Sequence, residues 1–277
     1  MNVCLALAAI LGAVAQPAPA MAQGGTVALA SHRAVYDLKL AQTRGNRPVQ
    51  AVRGRILYDF SGNVCEGYAL QFRQVSELDN GEGRLAVSDL RATTWEDGTG
   101  RRLLFHSQNY LDNRLRDAVD GRAERVANGI DVKLTKPSDK SLDYRVDLVF
   151  PTEHVRRIIE AARAGKSLVD VVVYDGSESG EKLYDTLTVI GQPIMPAARP
   201  VTDAAAGNAA LAALTRWPVT ISYFDKSKAG GEQTPVYAIT FELYENGISR
   251  ALKLDYGDFV VDGEMTQLEI KAAKPCP

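Results

Sequence analysis

The stretch RAVYDLKL, residues 33–40, decides how this chain is read. Ala34, Tyr36, Leu38 and Leu40 fall on alternate positions, with Val35, Asp37 and Lys39 between them. Successive side chains of an extended backbone point to opposite faces, so one face is expected against a core and the other largely in water. The same period returns in RGRILYDF (53–60), with Ile56, Tyr58 and Phe60, and in CEGYALQFRQV (65–75). Further strands are expected at 84–95, 101–111, 118–126 and 129–137, then at 167–175 and 182–191, and finally within 218–224, 234–245, 249–257 and 259–273. Gly62-Asn63, Asp97-Gly98, Asn128-Gly129 and Asn246-Gly247 fall between these runs, and Asn-Gly favours the positive φ angles of tight hairpins. The expectation is a mainly β protein, a meander of antiparallel strands.

One segment breaks the period. In FPTEHVRRIIEAARAGK (150–166), Val155, Ile158, Ile159 and Ala162 recur at helical spacing, with Pro151 and Thr152 as start signals and Gly165 as a stop. Arg156, Arg157, Arg163 and Lys166 form its basic side, which either faces solvent, as the outer side of an amphipathic helix does, or meets anionic lipid peripherally. An Ala/Pro-rich stretch, 192–213, reads as a loop with a short helix within AAAGNAALAALT. It is either a long loop within one sheet or an interdomain boundary.

The first residues carry an apolar run from Val3 to Ala15 and a small-x-small end at Ala20, Met21 and Ala22. This is the form of a secretory signal over residues 1–22, cleaved ahead of Gln23, although no Lys or Arg precedes the run. The run is shorter than the ~20 apolar residues of a membrane-spanning helix. A single domain over 23–277 is then expected. Cys4 leaves with the leader, so Cys65 and Cys276 remain as an even pair in an oxidising compartment, where a disulfide is the default. A metal site needs more ligands, and neither cysteine has a CxxC or nearby His partner. A catalytic thiol stays open, but Cys276, one residue from the C-terminus, is better placed to tie down a tail.

Other chemistry is sparse. The formal charge is −2 and the basic residues are interspersed with acids, which speaks against a nucleic-acid partner. GSESGEK (176–182) departs from a phosphate loop in glycine spacing and is followed by a strand, so it reads as a hairpin turn. His32, His106 and His154 lie on different elements without ligand-like spacing, and no G-x-S-x-G elbow is present. Asp175 and Ser177 sit near a turn, where both residue types serve local hydrogen bonds. No catalytic set, metal site or cofactor motif emerges, and the expectation is a protein that is not an enzyme.

ASHRAVYDLKL (30–40), CEGYALQFRQV (65–75), SDLRATTWEDGTGRRLLF (88–105), FPTEHVRRIIEAARAGK (150–166) and VVVYDGSESGEKLYDTLTVIG (171–191) occur in this order, ahead of a Cys near the C-terminus. This ordered set resembles the EipB family of alphaproteobacterial cell-envelope integrity proteins, over about residues 31–276. The resemblance implies a periplasmic protein whose antiparallel strands form a strongly curved, unclosed spiral β-sheet with one principal helix. It also implies a Cys65–Cys276 disulfide and support of envelope integrity, and it supplies no catalytic residues. A strongly curved sheet encloses a cavity on its concave face. The expected role is therefore binding of a lipid, glycan or peptide-like ligand, or of an envelope partner, with no individual binding residue assignable. A structural scaffold is the alternative, and a hydrolase using acids such as Asp175 or Glu178 is a further one.

Overall fold

The computed structural model describes residues 27–44, 49–79, 81, 83, 85–196, 198, 201, 203, 207–227, 234–272 and 276. The expected leader, residues 1–22, and its cleavage point lie outside the described residues. Eight strands come first: β1 (His32–Thr43), β2 (Ala51–Asn63), β3 (Gly67–Asp79), β4 (Leu85–Glu96), β5 (Arg102–Leu111), β6 (Arg114–Val126), β7 (Gly129–Lys136) and β8 (Lys140–Tyr144). Helix α1 (Pro151–Arg163) follows, then β9 (Leu168–Val173), β10 (Tyr184–Ile190), the short α2 (Ala209–Ala212), β11 (Arg216–Asp225), β12 (Tyr237–Tyr244), β13 (Ser249–Asp255) and β14 (Phe259–Ile270).

All fourteen strands form one sheet in the order β8-β7-β6-β5-β4-β3-β2-β1-β14-β13-β12-β11-β10-β9. Every neighbouring pair is antiparallel, from His32↔Phe60 on one side of β1 to His32↔Ile270 on the other. The two ends of the chain thus meet at the centre of the sheet, and the middle of the chain supplies both edges. The sheet curls until those edges approach without closing. After β8, Val149 makes a parallel bridge to Val173, and the Tyr144 hydroxyl donates to the Glu181 carbonyl at 2.6 Å.

Glycine permits the curl where backbones crowd. Leu38 pairs with Gly54 on one side and Gly263 on the other, and a Cβ added to Gly54 would stand 2.4 Å from the Val75 carbonyl oxygen. The alternation read from residues 33–40 matches burial: Ala34, Tyr36 and Leu38 are buried. Val35 departs from it, being only 9% exposed, because β1 is a central strand flanked by Leu57 and Gln267 in register.

Two apolar cores fill the concave side. The larger joins Tyr36, Ile56, Trp217, Val219 and Leu243 to Ile158 and Ile159 of α1, so the helix packs inside the curl. The smaller joins Phe105, Val119, Ile130 and Leu134 to Tyr174, which follows β9. The β9–β10 connection thereby reaches from one half of the sheet into the other. Residues 176–182 lie in this connection between two antiparallel strands, as a hairpin reading requires.

Three features differ from or refine the sequence reading. Strand β8 has no counterpart in it; KSLDY is short and polar, as edge strands are, and its alternation is too brief to register. The turn expected at Gly62-Asn63 falls at Val64–Glu66, where the Asn63 side chain accepts the N–H groups of Cys65 and Glu66, both at 2.8 Å. The 192–213 stretch lies between β10 and β11, which are neighbours in the one sheet. Its Asp203 reaches back to Arg250 of β13, 2.6 Å from Nε, and Arg250 also contacts Glu242, the partner of Arg216.

Candidate functional site

The concave face encloses a cavity of about 300 Å³ between β1–β3 on one side, β11–β13 on the other and the first turn of α1. Alternation sends every second side chain of these strands inward, so the lining follows directly from register. One wall is aromatic from β1–β3: His32 stacks on Tyr58 at 5.6 Å between ring centroids, and Phe60 stacks on Tyr68 at 5.4 Å. The opposite wall brings Tyr223 to Tyr237 at 6.0 Å, and Tyr237 to Tyr256 at 5.2 Å. Gln74 Nε2 donates to the Tyr256 hydroxyl at 3.2 Å, joining β3 to the β13–β14 turn across the curl.

Among the described residues no Asp, Glu, Lys or Arg lines this cavity. Its polar groups are neutral. The Tyr36 hydroxyl donates to the Ser249 carbonyl at 2.7 Å. His32 Nδ1 lies 2.7 Å from the Ala30 carbonyl, which can only accept, so Nδ1 carries the proton. Burial pushes the His32 imidazole down from its usual range and the Tyr58 phenol up to about 12, and it raises Tyr223 and Tyr237 as well. The hydroxyls of Tyr58, Tyr223 and Tyr237 make no hydrogen bond to another described residue, and no fully enclosed side-chain polar atom lacks a partner. These three oxygens are therefore reachable from the cavity. The site suits an uncharged, largely apolar group with a few hydrogen-bonding atoms.

Of the chemically reactive residues singled out from sequence, His32 lines this cavity and the others lie elsewhere. Cys65 and Cys276 are bonded to each other with Cα atoms 5.6 Å apart, at the exposed β2–β3 turn. This bond ties the segment after β14 across β1 to the far end of β2. The three histidines stay apart: His32 in the cavity wall, His106 on the outward face beside Asp120, and His154 buried in α1 near Thr188. Among the described residues no three His, Cys, Asp or Glu side chains converge on a metal-sized site. Asp175 accepts the Ser177 N–H at 2.9 Å, closing a local turn, and its carboxyl is raised by burial. Glu178 accepts from the Tyr184 hydroxyl at 2.8 Å and pairs with Lys182, which also meets Asp225 at 3.2 Å. Neither acid lines the cavity. On α1, Arg156 donates to the Gly98 carbonyl, Arg157 pairs with Glu153 and Arg163 reaches Glu245, so most of the basic side is engaged within the protein. The cavity aromatics carried a weak signal in sequence, rings at alternate positions such as Tyr58 and Phe60, which marks a strand face and not what that face meets.

The family model described as EipB-like matches residues 23–272. The chain belongs to the EipB-like family. Within it, the cell envelope integrity protein EipB of Brucella abortus (strain 2308) is 35% identical over 254 residues, 91% of this chain and 88% of that protein. A crystal structure of a β-barrel-like protein of a domain of unknown function, also from Brucella abortus, superposes with a TM-score of 0.82. It shares 34% identity, and the match covers 89% of this chain and 100% of that one. The curled, unclosed antiparallel sheet is thus the EipB-like fold.

Proposed function

We propose that this protein is exported to the periplasm and supports the integrity of the cell envelope as a non-enzymatic binding module. The name of its Brucella relative supports the envelope role, and the leader pattern at residues 1–22 supports export. Among the described residues no helix is long and apolar enough to cross a membrane. The ligand is a lipid that inserts an uncharged acyl portion between the aromatic walls and keeps its charged head outside. The observation that carries this reading is the lining, apolar and aromatic with no ionised side chain. A volume of about 300 Å³ is at the small end for ligand sites, which suits one chain of a lipid and not a whole lipid.

Native mass spectrometry on protein drawn gently from its own periplasm, followed by release under denaturing conditions, tests it. A reproducible acyl-bearing mass that is absent from a cavity-filling Leu70→Trp variant is expected. Protein that is empty, or cargo retained unchanged by a folded Leu70→Trp variant, would overturn it.

A further inference from the structure

The outward face of β3–β8 carries a second concavity, a groove of about 840 Å³, with Thr94 contributing to its lining as well as to that of the apolar cavity. One cross-strand rung runs along it. Trp95 pairs with Leu104, Leu104 with Arg122, Arg122 with Lys133, and Lys133 with Ser141. Their neighbours in sequence, Leu103, Ala123, Val132 and Leu134, fill the core on the other face. The rung is therefore outward by the same alternation that builds the core.

Its charges are unusual for a sheet surface. Arg122 and Lys133 stand directly opposite each other, and like charges in register are unfavourable. Lys133 has no partner among the described residues. The acid nearest Arg122, Glu124, is 3.8 Å away and is shared with Arg102 at 3.7 Å. Asp120, on the adjoining rung, is already held by His106 Nδ1 at 2.9 Å and the Thr135 hydroxyl at 3.1 Å. Lys140 is paired with Glu181, and the remaining groove acid, Asp139, lies in the β7–β8 hairpin. Lys133 is thus left without a partner among the described residues, and Arg122 holds only a long, shared ion pair, beside an apolar platform of Trp95 and the 41% exposed Leu104.

We propose that this groove binds an anionic saccharide, with its carboxylate or phosphate on Arg122 and Lys133 and a sugar ring laid on Trp95 and Leu104. Trp95 and Arg122 lie two strands apart, about 10 Å at the usual strand spacing, which exceeds the reach of a bare anion. An extended peptide needs main-chain partners, and the backbone of β4 to β7, which carry Trp95, Leu104, Arg122 and Lys133, is already paired on both sides. Thr93, Thr135, Ser141 and the His106–Asp120 pair supply donors and acceptors for sugar hydroxyls. The proposal stands apart from the lipid reading, because neither Arg122 nor Lys133 lines the apolar cavity.

The test follows the Trp95 indole N–H signal in two-dimensional NMR spectra, assigned with a Trp95→Phe variant, while trigalacturonic acid is added to the full mature protein. A saturable shift is expected, with binding about tenfold weaker for each of Arg122→Gln and Lys133→Gln and for the neutral probe maltotriose. Both cations are exposed, so these variants are expected to melt as wild type does. The proposal is overturned by an unmoved signal at millimolar trigalacturonate or by variants that bind the sugar acid as tightly as wild type does. It is equally overturned if inorganic phosphate alone, or tetraglutamate, binds as tightly as the sugar acid.

Discussion

Glu96, at the end of β4, accepts the backbone N–H of Thr152 at 2.7 Å and that of Glu153 at 3.0 Å. The residue in the N-cap position of α1 is Phe150, whose side chain can cap nothing. A carboxylate from a strand 56 residues earlier takes that role, at the end of the helix where the macrodipole favours negative charge. Glu96 is only 2% exposed, so its loss would leave two donors without an acceptor in the interior.

Glu96→Ala is accordingly expected to lower unfolding stability by about 2–3 kcal/mol, and Glu96→Gln by less, since the amide keeps one acceptor oxygen. Urea titration measures both. Equal stability of all three proteins would dismiss the cap.

The same helix end makes stability depend on pH in two opposing ways. Burial, with Arg157 adding to it, pushes the His154 imidazole down from 6.5 to about 4. The unfolded chain therefore binds that proton first, and stability is lost as pH falls from 6.5 through 4, by up to roughly 3 kcal/mol. Burial pushes Glu96 the other way, from 4.5 up to about 7, against the pull of Thr152, Glu153 and Arg156. The folded state then binds that proton first, and stability is gained as pH falls from 7 through 4.5. Melting temperatures across this window should fall less steeply in His154→Gln than in wild type, and more steeply in Glu96→Gln. Parallel curves for all three would show that neither group titrates in this way.

The Cys65–Cys276 bond closes a separation of 211 residues, for which the chain-entropy model gives at most about 5 kcal/mol. The native register already holds β14 to β1 from His32↔Ile270 to Thr43↔Phe259, and Lys271 contacts Asp59. The sheet should therefore still form without the bond, but melt earlier. Cys276→Ser and chemically reduced wild type should match each other and lie below oxidised wild type. Identical melting of oxidised and reduced wild type would remove the stabilising role.

Gly176 lies where the β9–β10 connection enters the second core. Its φ is +69°, and a Cβ there would stand 2.4 Å from Cγ of Phe105. Gly176→Ala meets both a strained backbone and a packed ring, with an expected cost of about 2–3 kcal/mol. The change should also expose the connection, so limited proteolysis near residues 174–183 should speed up. Wild-type stability in Gly176→Ala would mean that the loop does not join the two halves.

Much of the architecture was legible locally. Period-two runs from residue 33 onward marked nearly all the strands, and Pro151 with Gly165 bracketed the helix, which the structure ends at Arg163. β8 escaped because five mostly polar edge residues carry too little alternation. The cavity lining escaped for another reason. Tyr58 and Tyr223 each advertise a buried strand face, but no local pattern says that the two faces belong to one enclosed space.

Side-chain periodicity is a property of neighbouring residues, and by itself it determined the strand faces and the amphipathic helix. That two cysteines, Cys65 and Cys276, lie beyond the expected leader likewise follows from counting alone. Which faces meet is a property of long-range pairing. The register that sets β14 beside β1 curls the sheet around one cavity, the distant Glu96 caps α1, and a single rung carries Trp95, Arg122 and Lys133 together. These relationships required the tertiary structure, because alternation fixes the side of the sheet on which a residue stands and leaves its partner strand unspecified.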